Sequence, residues 1–357
     1  MITNDFFTFA LMNLVKLNND IAGKISSYLS DKGKSFCILT HVNPDGDAIG
    51  SALGLYGYLR SKGIDNVSVI VPNNYALFLH WMPFNDIVIV ASEYQKLAND
   101  KISNADVVFC LDFNHPSRVD NISEVLTKSR AFKVLIDHHP QPESTFFDVV
   151  ISNVDVSSTA ELVAILIYSC ENSFDIIDKD VASCLYAGIV TDTGSFSYSN
   201  RNTQTYLIVA ELIDKGIDPV EIQRSIYDTF TEERMRLLGY CLSEKLTVLP
   251  NRKVAYISLT ADELNRFNHK EGDTEGIVNY ALSIGGIELA AFFMERDDVI
   301  KISFRSRRLI DVNKIARLHF YGGGHMNASG GKLKGSMQQA IALFEQLFSN
   351  QDINMYL

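Results

Sequence analysis

The feature that most constrains this chain is a train of short apolar runs, at residues 36–40, 67–71, 87–90, 107–111 and 132–136, spaced by amphipathic helical stretches. Runs such as Val-Val-Phe-Cys-Leu do not alternate with polar residues, so each strand must be covered on both faces. Strands alternating with helices give βαβ units and a mostly parallel sheet. Helices are expected at 48–61, 119–129, 159–170, 180–190, 203–215, 219–227 and 232–246. Ser158 and Glu161 form a capping-box pattern, as do Thr260 and Glu263. Beyond residue 246 the texture changes. Two strands at 287–294 and 299–305 flank the polar turn Glu295-Arg-Asp-Asp298, a hairpin signal. The expectation is an α/β fold in three pieces. A mostly parallel-sheet domain spans 1–200, a helical connector 201–245, and a smaller α+β domain 246–357.

Length agrees, since 357 residues suggest two domains. With 46% apolar and 21% charged residues the chain is globular rather than fibrous or disordered. No apolar stretch reaches the ~18–20 residues of a membrane span. The apolar start at 6–14 lacks a basic n-region and a cleavage site, so no signal peptide is expected. Five scattered cysteines without a C-x-x-C point to free thiols in a reducing cytoplasm. The net charge is −11 and uneven. After residue 245 there are 13 Lys+Arg against 12 Asp+Glu, which leaves 19 against 31 for the first 245 residues. Such a chain is not built to wrap long nucleic acid, yet it can hold a small anion locally.

Chemistry concentrates where strands end. Thr40-His-Val-Asn-Pro-Asp-Gly-Asp-Ala-Ile-Gly-Ser51 follows the first run and places His41, Asp45 and Asp47 within seven residues. Imidazole with two carboxylates suits a divalent first-row metal, Mn²⁺ especially. The plainer alternative is that Asp45 and Asp47 make Asx turns and cap the next helix. Asp112 follows the 107–111 run, and Asp137-His138-His139 follows 132–136. Asp192 sits in Gly188-Ile-Val-Thr-Asp-Thr-Gly-Ser-Phe196. Separate structural reasons for each acid are harder to find than one shared metal cluster, because unpaired buried carboxylates cost several kcal/mol. Two ions sharing a carboxylate suit in-line displacement on phosphorus. No phosphate-binding Gly-x-x-x-x-Gly-Lys loop, dinucleotide turn or nucleophile elbow is present. A second motif, Tyr321-Gly-Gly-Gly-His-Met-Asn-Ala-Ser-Gly-Gly331, has three consecutive glycines whose amides could face one anion. His325 adds a donor, and Arg305, in Ser303-Phe-Arg-Ser-Arg-Arg308, can clamp a phosphate.

These motifs, in this order over residues 36–331, resemble the DHH/DHHA1 phosphoesterases, named for Asp137-His138-His139. Within that family the likeness is to stand-alone bacterial enzymes that hydrolyse very short RNA (nanoRNA) and 3′-phosphoadenosine 5′-phosphate (pAp) with two Mn²⁺ ions, Mg²⁺ being a substitute. The resemblance implies that His41, Asp45 and Asp112 hold one ion. It implies that Asp47, Asp112, His138 and Asp192 hold the other, with Asp112 bridging and hydroxide attacking in line. His139 would contact the scissile phosphate or leaving oxygen. Arg305, Gly322, Gly323, Gly324 and His325 would hold the far end of the substrate. Homodimers are common in the family. Asp137 is expected to orient its neighbours, and His115 to be an ordinary surface histidine. Rival readings are a phosphodiesterase of linear pApA or cyclic dinucleotides, a pyrophosphatase or exopolyphosphatase, and a catalytically silent nucleotide sensor.

Overall fold

The computed structural model describes residues 16–197, 202–250, 253–270, 272–307 and 309–349. The apolar start at 6–14 and Arg308 lie outside them. The chain divides into two compact units, one up to Thr229 and one from Phe230.

The first unit is built on six parallel strands: β1 (Phe36–Leu39), β2 (Val67–Val71), β3 (Val88–Val90), β4 (Val107–Leu111), β5 (Phe132–Asp137) and β6 (Val149–Ser152). Their order is β3-β2-β1-β4-β5-β6. Alternate residues of each strand feed two separate cores, as their apolar character requires. Phe36, Ile38, Phe109 and Leu111 join one with helices Gly46–Ser61, Thr159–Glu171 and Lys179–Asp192. Cys37, Leu39, Val108 and Cys110 join the other with helix Gln95–Ser103. The strand numbering reverses between β1 and β4, and open α/β sheets bind ligands at the carboxyl ends of strands at such a switch point.

The second unit is α+β, as expected. Its mixed sheet runs β11-β12-β10-β9-β8-β7, with β7 (Leu246–Leu249), β8 (Val254–Leu259), β9 (Leu289–Arg296), β10 (Val299–Ser306), β11 (Gly323–Gly324) and β12 (Ala328–Lys334). The hairpin turns through Asp297 and Asp298, with Asp297 left-handed at φ 51°. One face packs on helices Val312–His319 and Met337–Ser349, around Phe293, Phe304 and Phe344. The helical stretch between the sheets is shared out. Ile208, Leu212, Ile222 and Ile226 bury in the first unit, Leu237 and Cys241 in the second. The helix expected over 232–246 stops at Tyr240, passes through one wider turn, and becomes β7 at Leu246.

Among the described residues no helix is long and apolar enough to cross a membrane. All five cysteines are unpaired, four of them buried. Burial pushes the Cys37 and Cys110 thiols far up, which makes them packing groups rather than nucleophiles.

The Thr260–Glu263 capping box forms with both of its bonds. Glu263 Oε1 also accepts from Tyr240 Oη at 2.7 Å and Lys245 Nζ at 2.8 Å. Burial alone would raise this carboxyl, but Lys245, the Thr260 amide and Tyr240 outweigh it and bring it from 4.5 down to about 2. The folded value is the lower one, so its contribution is full above pH 4.5 and is lost as pH falls through about 2. Glu263→Gln should therefore cost about 1–2 kcal/mol at pH 7, after solvent screening. Urea unfolding of both proteins across pH 2–7 should show that gap closing on the acid side.

Candidate metal centre

Each acidic and imidazole group is brought in by a strand end or a helix end. Asp45 caps helix Gly46–Ser61: its Oδ1 accepts from the amides of Asp47 at 3.1 Å and Ala48 at 3.0 Å. The capping reading of Asp45 is therefore correct as far as it goes. Its other oxygen, Oδ2, lies 3.9 Å from His41 Nε2. One carboxylate thus ends a helix and faces the site. His41 bonds the Val42 carbonyl through Nδ1 at 2.9 Å, which turns Nε2 toward the acids. Asp112, just past β4, is left-handed at φ 64°, rare for a residue with a side chain. Such strain costs about 1–3 kcal/mol and gathers at functional sites.

Asp112 is the centre of the arrangement. His41 Nε2 lies 3.3 Å from its Oδ2, while His138 Nε2 and His139 Nδ1 each lie 3.6 Å from its Oδ1. His138 Nε2 is also 3.9 Å from Asp47 Oδ2 and 3.5 Å from Asp192 Oδ2. Groups of ligand atoms that converge within 4.8 Å include His41–Asp45–Asp112, Asp47–Asp112–His138 and Asp112–Asp137–His139, and Asp112 belongs to all three. His41, Asp47, Asp112 and His138 are buried, whereas Asp45 and Asp192 reach solvent.

The electrostatics are those of a cation site. Burial and the charges of Asp112, Asp192 and Asp45 push Asp47 well above the usual carboxylate range. Burial also leads for Asp192, raised to about 6. Asp112 goes the other way: burial opposes ionisation, but the bond from His41 and the nearby imidazoles hold it far below its ordinary value. A cation among these acids would favour the ionised forms of Asp47 and Asp192. Separations of 3.3–3.9 Å are long for hydrogen bonds. They approach the roughly 3 Å between adjacent ligands held about 2.1 Å from a small cation. The donor set, carboxylates and imidazole without thiolate, fits Mn²⁺ or Mg²⁺.

Asp137 is fully buried and sits 2.7 Å from His139 Nδ1 through Oδ1. Burial would lower His139, but that bond and the charges of Asp112 and Asp137 raise it to about 9. His115 is exposed and accepts from the Ser117 amide at 3.1 Å, capping the turn that follows.

Sequence reasoning missed how the two metal-bearing helices meet. Helices Gly46–Ser61 and Lys179–Asp192 lie antiparallel in close contact along Gly46, Gly50, Gly54 and Gly57. A Cβ on Gly50 would sit 2.5 Å from the Cys184 carbonyl, and one on Gly46 2.4 Å from Thr191 Oγ1. The four-residue glycine spacing was the available signal. This seam sets Asp47, in the first turn of one helix, beside Asp192, the last residue of the other.

In the second unit Arg305 is half-buried on β10 between Ala290 and Ala328, and donates to the Phe304 carbonyl at 3.0 Å. The amides of the glycine run are bonded within the unit: Gly322 N donates to Ala316 O, Gly324 N to Asn313 Oδ1 and His325 N to Ala328 O. Gly323 and Gly324 pair with β12, and a Cβ on Gly322 would lie 1.9 Å from the Gly330 carbonyl. The glycines there make room for backbone.

The DHH family N-terminal domain matches residues 35–189, and the DHHA1 domain matches 251–350. The bifunctional oligoribonuclease and PAP phosphatase NrnA of Thermus thermophilus is 30% identical over 84% of this chain and 84% of its own. The chain belongs to the DHH/DHHA1 phosphoesterase family. The crystal structure of an exopolyphosphatase-related protein from Bacteroides fragilis is 42% identical, with a TM-score of 0.88 over 93% of this chain and 96% of that one. The cyclic-di-AMP phosphodiesterase GdpP of Bacillus subtilis is 28% identical over 85% of this chain but 46% of its own length. Across this DHH/DHHA1 chain, then, the likeness runs through both units and includes NrnA-type proteins.

Gly50→Ala should open the helix seam and cost about 1–3 kcal/mol. It should also weaken Mn²⁺ binding, because Asp47 and Asp192 would move apart. Denaturant unfolding and calorimetric Mn²⁺ titration of the same variant check both effects.

Proposed function

We propose that this protein is a two-cation hydrolase of short oligoribonucleotides, releasing mononucleotides, and that it also removes the 3′-phosphate of pAp. The observation that carries the reading is Asp112, whose two oxygens serve two different ligand groups. His41, Asp45 and Asp112 would hold one cation; Asp47, Asp112, His138 and Asp192 would hold the other. Mn²⁺ is the first choice and Mg²⁺ a substitute. Bound there, such ions acidify water to a nucleophile near neutral pH and offset charge on the phosphoryl oxygens. His139, kept protonated by Asp137, would donate from Nε2 to the phosphate or leaving oxygen. Arg305, His325 and the backbone at Gly322, Gly323 and Gly324 would receive the other end of the substrate. The acidic body, at a net −11, disfavours long RNA and tolerates a few phosphates. Names borne by the relatives support the nucleotide class, and unpaired cysteines support a cytoplasmic setting.

The test is one activity panel on chelator-stripped protein with Mn²⁺ or Mg²⁺ restored. Substrates are a diribonucleotide, pAp, a 24-mer RNA, linear pApA, cyclic di-AMP and pyrophosphate. Expected are mononucleotides from the diribonucleotide, dephosphorylation of pAp, a slow 24-mer, and a loss above about a hundredfold in Asp112→Asn. Turnover confined to pApA or cyclic di-AMP would move the enzyme to dinucleotide signalling. Cleavage of pyrophosphate alone would end the nucleotide reading.

A further inference from the structure

One residue outside the ligand set touches both buried carboxylates. Thr159, fully buried, opens helix Thr159–Glu171. Its hydroxyl donates to Asp112 Oδ1 at 2.9 Å, and its amide donates to Asp47 Oδ2 at 2.6 Å. The next amide, of Ala160, donates to Asp47 Oδ1 at 2.8 Å. Asp47 therefore has both oxygens on the first turn of this helix, where exposed amides and the helix dipole favour negative charge.

The turn itself is anchored. Ser158 Oγ accepts from the Glu161 amide at 3.1 Å, which is half of the capping box expected from sequence. Glu161 does not complete the box. Its Oε2 instead accepts from the Ser157 amide at 2.8 Å, Ser157 Oγ at 2.6 Å and Thr205 Oγ1 at 2.8 Å. A fully buried carboxylate thus fixes the residues just before Thr159.

We propose that Thr159 is a positioning residue that sets the bridging pose of Asp112. This inference rests on the two-cation reading above. Asp112 can share itself only if Oδ2 stays with His41 and Oδ1 stays with His138. A carboxylate on two rotatable bonds does not hold that pose unaided, and its left-handed backbone adds strain. The Thr159 hydroxyl pins Oδ1 on the His138 side. Through its amide the same residue holds Asp47, the other acid of that group. Thr159 thereby ties together the two acids of the Asp47–Asp112–His138 site, while the His41–Asp45 side is held by the strand-end loop.

Thr159→Val keeps shape and β-branching, loses the hydroxyl and retains the amide; Thr159→Ser keeps the hydroxyl. Stripped proteins would be titrated with Mn²⁺ by calorimetry, and the loaded forms examined by electron paramagnetic resonance for the coupled Mn²⁺ pair. In Thr159→Val one site should weaken about 10–100-fold, the other should hold within about twofold, and the pair signal should fade at low Mn²⁺. Thr159→Ser should restore both. Unchanged affinities and an intact pair signal in Thr159→Val would overturn the inference. Equal weakening of both sites would overturn it too, as that marks general loosening. Should Thr159→Val fail to fold, loss of one site in folded Thr159→Ser would still overturn it. If wild-type protein binds no Mn²⁺ pair, the two-cation reading itself has failed, which is a separate result.

Discussion

Asp47 and Asp112, at 1% and 2% exposure, are carboxylates taken out of water, and the first unit is arranged to offset that cost. Each buried carboxylate costs several kcal/mol unless compensated. The compensation is visible piece by piece. Asp112 has His41 on one oxygen and Thr159 on the other; Asp47 has the first turn of a helix. What protein groups leave uncompensated is the mutual repulsion of four acids, and it shows in the raised Asp47 and Asp192. A cation among these acids would offset that repulsion.

The sheet topology explains where that cluster can exist. β1 and β4 are neighbours at the point where strand order reverses, so the loops leaving them part to opposite faces. The gap between those loops receives His41, Asp45 and Asp47 from one side and Asp112 from the other. β5 delivers Asp137, His138 and His139 one strand further along. The Asp137–His139 bond then separates the tasks of two adjacent imidazoles. His138 faces the acids through Nε2, while His139 is held by Asp137 through Nδ1.

Much of this was legible in the sequence because strand ends are legible. An apolar run that stops at an acid or histidine marks a carboxyl end, and four such stops fall on β1, β4, β5 and the helix carrying Asp192. Other features left weaker traces. The Gly46–Gly50–Gly54 seam encodes contact between helices over 130 residues apart, which no local pattern expresses. β11 and β12 carry four of the five glycines between 322 and 331 and read as a loop, since glycine weakens strand propensity; only backbone close-packing makes them strands. Thr159 begins the helix expected over 159–170, but its partners are 47 residues away and more. Glycine runs serve backbone contact as readily as ligand contact, and only tertiary structure decides between them.

The central claim is that Asp112 bridges two cations. Anomalous diffraction from crystals of the stripped protein soaked in Mn²⁺ tests it without reference to any substrate. The account requires two peaks, one among His41, Asp45 and Asp112 and one among Asp47, Asp112, His138 and Asp192, with Asp112 touching both. A single peak, or two peaks that share no ligand, would contradict it.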